Sequence, residues 1–199
     1  MYKGKLFVIS GPSGVGKTTI CKALCQKIPD LKWSVSTTTR PRRRGEINGK
    51  DYYFVSEEQF SAQIEQDAFI EYAKVHDYYY GTSKENVEKT LVSGQHILVE
   101  IDVQGAYKIK QKQTYSPILF FIAPPDMESL KRRLLHRNSD SEAIIQKRLE
   151  NAIAELEKAD FYDKKIINIS LEQSIVDIYD IMQNAIGEKD DTNTHGRND

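Results

Sequence analysis

Gly11-Pro12-Ser13-Gly14-Val15-Gly16-Lys17-Thr18 is the stretch of this chain whose residue types and spacing point most directly to a chemistry. It fits G-x-x-x-x-G-K-[ST] in full. Glycines let successive backbone N–H groups converge on phosphate oxygens. A helix starting at Gly16 aims its positive end at the same anion. Lys17 would supply a point charge to β- and γ-phosphates, and the Thr18 hydroxyl is placed to bind Mg2+. An apolar run, 5–10, precedes the motif. A helical pattern with Ile20, Ala23, Leu24 and Ile28 follows it, stopped by Pro29. A nucleoside-triphosphate site between a buried strand and a helix is the expectation.

Two further stretches decide which phosphate chemistry follows. Asp102-Val103-Gln104-Gly105 fits the D-x-x-G switch of GTPases, but no Asn-Lys-x-Asp guanine reader occurs downstream. Its plainer reading is a strand-end carboxylate near Mg2+ with a turn glycine. The other stretch, Arg40-Pro41-Arg42-Arg43-Arg44-Gly45-Glu46, holds four arginines in five residues. Alone, such a cluster reads as a solvated or nucleic-acid-contacting loop. Downstream of a phosphate loop it reads as the anion site of a kinase acting on a phosphorylated acceptor. Tyr52 and Tyr79-Tyr80-Gly81 add phenolic donors, although three adjacent tyrosines at 78–80 also suit plain packing. Such an acceptor is already anionic at neutral pH, because the second pKa of a phosphomonoester is about 6, so none of the four histidines is needed as a base.

The elements that must position these groups follow from composition and periodicity. A length of 199 residues suits one α/β domain with a smaller mobile part. With 28 basic and 29 acidic residues the net charge is −1, which argues against binding nucleic acid or a membrane by bulk charge. No apolar run exceeds strand length and no cleavage pattern follows Met1, so a soluble cytoplasmic chain is expected. Cys21 and Cys25 read as small hydrophobes on a core-facing helix. Strands are expected at 5–10, 52–55, 96–101, 118–123 and 165–169, with an extended segment at 69–75. Helices are expected at 16–28, 57–64, 83–91, 106–112, 126–136, 141–159 and 171–186. Ser56 and Gln59 form a capping box for the second of these. This alternation implies a mostly parallel sheet with helices on both faces, interrupted by a less regular insertion at 34–92. Residues 187–199 are expected to be a disordered tail.

Taken together, the phosphate loop, Val35–Arg40, Gly45–Tyr52, Phe69–Ala73, Tyr79–Thr82, Asp102–Gly105 and Arg137…Lys147-Arg148-Leu149 resemble guanylate kinase, a P-loop nucleoside monophosphate kinase family, in order and near its spacing. The resemblance runs from about residue 6 to 186. It implies transfer of the ATP γ-phosphoryl group to GMP, and to dGMP, in purine metabolism and GMP recycling. It also implies a single domain, 4–186, with a core (4–33, 93–125 and 149–186), a GMP-binding subdomain (34–92) and a helical lid (126–148). Carried over by position, Ser36, Arg40, Arg43, Tyr52 and Tyr80 hold the GMP phosphate. Glu71 and Thr82 read guanine, with Asp102 at the base or metal edge. The phosphate loop (Gly11, Pro12, Ser13, Gly14, Val15, Gly16, Lys17, Thr18) and Asn168 bind ATP. Lys17, Arg137 and Arg148 serve phosphoryl transfer, and Thr18 and Glu100 hold Mg2+, through water. The chain departs from the family pattern in three places. Pro41 comes one place early, leaving Arg42 and Arg43 as alternatives; Glu100 stands where aspartate is usual; and Asn168 alone remains of the usual Val-Asn-Asp-Asp. Scaffold domains of this type that bind phosphopeptides have lost the loop glycines, the lysine and the lid arginines, all present here. Oligomeric state stays open.

Overall fold

The computed structural model describes residues 2–75, 77–112, 114–135 and 142–187. In chain order the elements are β1 (Leu6–Ser10), α1 (Lys17–Lys27), β2 (Leu31–Trp33), β3 (Thr37–Thr38), β4 (Tyr53–Phe54), α2 (Glu57–Glu65), β5 (Phe69–Val75) and β6 (Tyr78–Ser83). There follow α3 (Lys84–Val92), β7 (His96–Glu100), α4 (Val103–Lys112), β8 (Ile118–Ala123), α5 (Met127–Leu135) and α6 (Glu142–Leu156). A 3-10 turn (Ala159–Phe161), β9 (Lys164–Ile167) and α7 (Leu171–Gly187) complete the chain.

The apolar run before the glycines is buried at every position because β1 is the middle strand of a five-stranded sheet, ordered β2-β7-β1-β8-β9. Every pairing in it is parallel, with Val8 opposite Val99 on one side and Leu119 on the other. Side chains alternate between two cores. Phe7, Ile9, Leu98, Phe120 and Ile122 face one cluster, closed by Ile20 and Leu24 of α1, Leu130 and Leu134 of α5 and Ile178 and Met182 of α7. Leu6, Val8, Ile97, Val99, Leu119 and Phe121 face the other, closed by Val87 and Leu91 of α3 and Ala106 and Ile109 of α4. Strands buried on both faces read as continuous apolar runs, which is why β1 and β8 are so plain in the sequence. The chain leaves β1 toward β2 on one side of the sheet and later crosses to β8 on the other. The crevice at the carboxyl ends of β1 and β7 is therefore a topological switch point, where parallel sheets bind ligands.

The insertion is more regular than its composition suggests. It builds a second, mixed sheet ordered β4-β3-β6-β5. β6 was not anticipated, because Tyr78-Tyr79-Tyr80-Gly81 offers no alternation of apolar and polar residues. It pairs antiparallel with β5, aligning Glu71 with Thr82 across a bulge near Phe69. Phe60 of α2 stacks on Phe69 and Tyr79, with ring centroids 4.7 and 5.5 Å apart. The capping box of α2 forms as read: the Ser56 hydroxyl accepts from the Gln59 amide, and the Gln59 side chain accepts from the Ser56 amide. Helix α4 begins at Val103, three residues before the expected start, because the Asp102 carboxylate caps it by accepting from the Gly105 amide (2.8 Å). Helix α6 ends at Leu156 rather than 159, where the chain turns through the 3-10 segment. β9 ends at Ile167 because the Asn168 amide still bonds Ala123 but its side chain turns under the phosphate loop. Of the expected tail only Gly187 lies within the described residues. Among those residues no helix is long and apolar enough to cross a membrane.

Candidate active site

The phosphate loop joins β1 to α1 with three glycines at positive φ: Gly11 (135°), Gly14 (90°) and Gly16 (98°). At Gly11 the need is double, since a Cβ there would lie 2.2 Å from the Ile122 carbonyl oxygen. The Lys17 ammonium lies over the loop, donating to the carbonyls of Gly11 (2.6 Å) and Pro12 (2.9 Å). Asn168 braces the loop from beneath. Its amide Nδ2 donates to the Val15 carbonyl (2.7 Å), and its Oδ1 accepts from the Ser174 hydroxyl (3.1 Å). Both ends of this buried side chain are therefore engaged by protein. Arg133 of α5 donates to the Asn168 carbonyl (2.8 Å), tying that helix to the same brace. The sequence reading missed Arg133, which looks like one more surface charge of an amphipathic helix.

Beside the loop, the Thr18 hydroxyl donates to Glu100 Oε1 at 2.8 Å, bringing together the two residues expected at the metal. A hydroxyl and one carboxylate suit Mg2+, which keeps most of its waters and takes one or two protein oxygens plus phosphate oxygens. Among the described residues no group of three or more His, Cys, Asp or Glu forms a dedicated cage. Glu155, in the last turn of α6, is a further carboxylate near the site that the sequence did not flag. Burial raises its pKa, opposed by the field of Lys17.

Across the crevice the second sheet holds a buried arginine. Arg40 donates Nη1 to Glu46 Oε2 (3.1 Å) and Nη2 to Glu46 Oε1 (2.6 Å), and Nη1 also to the Pro41 carbonyl (2.8 Å). Its guanidinium lies 5.3 Å from the Tyr52 ring centroid and 5.7 Å from that of Phe54, within cation–π range. Burial works to lower its pKa, but Glu46 and Tyr80 outweigh that and raise it. Three of the five guanidinium N–H groups are thus engaged by Glu46 and Pro41. Burial, reinforced by Glu100, pushes the Tyr52 phenol up to about 12, so it stays a neutral donor. Tyr52 and Tyr80 meet edge to face at 5.9 Å. Glu46 is the residue missed here. Its signal was the spacing: a glutamate six positions after Arg40 and just beyond the turn glycine, where the chain folds back. Arg43 is exposed, with its backbone amide donating to Glu46 Oε2 (2.7 Å). Ser36 is half-buried beside β3, where its carbonyl accepts from the Tyr53 amide.

Deeper in the crevice, register brings Glu71 and Thr82 together. The Thr82 hydroxyl donates to Glu71 Oε1 at 2.6 Å. Glu71 is 4% exposed, and burial lifts its pKa to about 7, with the Asp102 carboxylate adding to the rise. Lys108 and Lys112 of α4 are near enough to oppose it, yet their ammonium groups bond the carbonyls of Tyr72 (2.6 Å) and Ile70 (2.9 Å). Asp102 is itself raised by burial and accepts from the Gly105 amide and the Gln104 side chain. Arg148 lies half-buried on α6. Arg137 falls outside the described residues.

This arrangement matches known proteins along most of its length. The guanylate kinase family model covers residues 3–185. A guanylate kinase of Caldanaerobacter subterraneus subsp. tengcongensis is 50% identical over 87% of this chain and 84% of its own length. One of Fusobacterium nucleatum is 44% identical over 94% of this chain and its whole length. The crystal structure of guanylate kinase from Anaplasma phagocytophilum superposes with a TM-score of 0.79 at 33% identity, covering 94% of this chain and 89% of that one. With its mostly parallel P-loop core and a family match spanning nearly every described element, this chain belongs to the guanylate kinase family.

Proposed function

We infer that the chain transfers the γ-phosphoryl group of ATP to GMP, and to dGMP, giving ADP and GDP. Family membership supports the reaction class. The observation that carries the choice of acceptor is the buried Glu71 carboxylate, bonded by Thr82 and set beside Gly105 and Asp102. Guanine presents two adjacent donors, N1–H and the 2-amino group, which one ionised carboxylate can accept together. Adenine presents an acceptor at N1 and no 2-amino group, so the pocket would be left with an unpaired buried charge. Sites built on such hydrogen bonds discriminate by factors of about 10⁴–10⁵ in favourable cases.

Arg40, Arg43, Tyr52 and Tyr80, with Ser36, take the acceptor phosphate in this reading. Lys17 and the loop amides take the donor phosphates, with Asn168 acting through the loop it braces. The attacking oxygen is already anionic, so the residues position and neutralise rather than remove a proton. Mg2+, held by Thr18 and through water by Glu100, would add charge neutralisation at the donor phosphates. Arg137 and Arg148 stabilise the transferring group from the lid side. Residues 34–92 serve as the GMP-binding part and 126–148 as the lid, and their approach excludes water that would otherwise hydrolyse ATP. The proposed setting is the cytoplasm. The test is ADP formation from ATP with GMP, AMP, CMP or UMP. Turnover with GMP exceeding each of the others by at least about 10³-fold is expected; equal rates with AMP would remove the assignment.

A further inference from the structure

Gly105 is the motif residue that phosphate chemistry leaves unexplained. It sits in the first turn of α4, and its φ is not positive, so the backbone there suits any residue. Helix propensity would favour alanine. What the position requires is room. A Cβ on Gly105 would stand 2.5 Å from Glu71 Oε2, 3.0 Å from Glu71 Cδ and 3.2 Å from Asp102 Oδ1. Two carboxylates from different elements therefore close on one missing methyl group. Real Cβ atoms do not approach other heavy atoms to 2.5 Å, so something must move.

What moves is predictable from how each group is held. The α4 backbone is anchored by the Asp102 cap and by the buried Ala106 and Ile109 of the core. Lys108 and Lys112 also tie that helix to the carbonyls of β5 on either side of Glu71. The Glu71 carboxylate is the end of a side chain, held there by the hydrogen bond from the Thr82 hydroxyl. A methyl group at 105 would leave the fold standing and push the carboxylate aside.

We propose that Gly105 is a specificity-determining position: by lacking a side chain it lets the Glu71 carboxylate seat against α4, where it can accept from both guanine donors. This rests on Glu71 being the base reader. The D-x-x-G stretch that resembles a GTPase switch thus serves the base end of the acceptor site, its aspartate capping the helix and its glycine making space.

The experiment measures GMP dissociation constants by calorimetry, and kcat and KM, for the full chain carrying Gly105→Ala, Glu71→Gln, Glu71→Asp, and Gly105→Ala combined with Glu71→Asp. Affinity for a non-hydrolysable ATP analogue reports on the integrity of the fold. Gly105→Ala should weaken GMP at least tenfold, mainly in KM, with analogue affinity unchanged. Aspartate is one methylene shorter and does not reach the new methyl group, so the same Gly105→Ala change made in the Glu71→Asp background should cost less than threefold. An equal penalty in both backgrounds, or no penalty in the wild-type background, overturns the proposal. If Glu71→Gln binds GMP as tightly as wild type, the base-reader assignment itself falls. If Glu71→Gln is impaired while Gly105→Ala is silent, only the role of Gly105 falls.

Discussion

The two sheets hold charge by different means. At the carboxyl end of the middle strand of the parallel sheet, the phosphate loop is eight consecutive residues whose positively rotated glycines point backbone groups at one place, braced from below by Asn168. In the mixed sheet the charges are side chains from separate segments. Arg40 meets Glu46 across a loop, and Glu71 meets Thr82 across a strand pair and Gly105 across the packing of α4 on β5. The first kind of site is fixed by local turn geometry on a core that is buried on both faces. The second depends on register and on α4 packing against β5, so it should be more sensitive to small changes and to pH.

The sharpest way to break this contrast is on the donor side. Lys17→Ala should lower kcat about 10³-fold, as loss of a preorganised electrostatic group does, while leaving the GMP dissociation constant nearly unchanged. Single-turnover kinetics beside GMP calorimetry checks it, and a large loss of GMP affinity would mean that the two sides are not separate.

The next effect lies on stability, in the mixed sheet. The pKa of Glu71 is raised from 4.5 to about 7 in the folded chain, so between those values the folded state holds a proton that the unfolded state has released. Stability must then fall as pH rises through that window, by about 3 kcal/mol if the whole shift is realised. Chemical denaturation at pH 5 and pH 8 should show this fall in wild type and a flatter profile in Glu71→Gln. Parallel profiles would place the titration elsewhere.

Smaller again, Arg40→Ala should weaken GMP by roughly 10- to 100-fold, the scale of one or two charge-assisted hydrogen bonds, with kcat less affected. Glu46→Ala should go the same way, because it leaves a buried guanidinium without its partner. Initial-rate kinetics with varied GMP separates the two constants. The smallest effect belongs to the cap of α2. Ser56→Ala should cost about 1 kcal/mol of stability, read by thermal unfolding, and leave ATP-analogue binding unchanged because the helix lies wholly in the mixed-sheet region.

The same contrast explains what could be read from the sequence. Strands β1, β5, β7 and β8 are visible to within a residue because they are runs of apolar or β-forming residues, and the phosphate loop because every position in it has a local reason. The start of α4 was misplaced because Gly105 looks like a turn residue, whereas its reason is a carboxylate 34 positions away in the chain. Strand β6 was missed because its partners are set by pairing across the mixed sheet, and the Arg40–Glu46 pair because it closes across an irregular loop; no periodicity records either. Asn168 entered only through the resemblance; its bond to Val15 under the phosphate loop spans 153 positions and only the fold reveals it.

The central claim, that the mixed sheet reads guanine through Glu71, is tested most directly by the ratio of kcat/KM for GMP to that for AMP in wild type and Glu71→Ala. The account predicts a wild-type ratio of at least about 10³ that collapses in the variant, chiefly through lost GMP activity, with Glu71→Gln between the two. A Glu71→Ala enzyme that prefers GMP as strongly as wild type would contradict it.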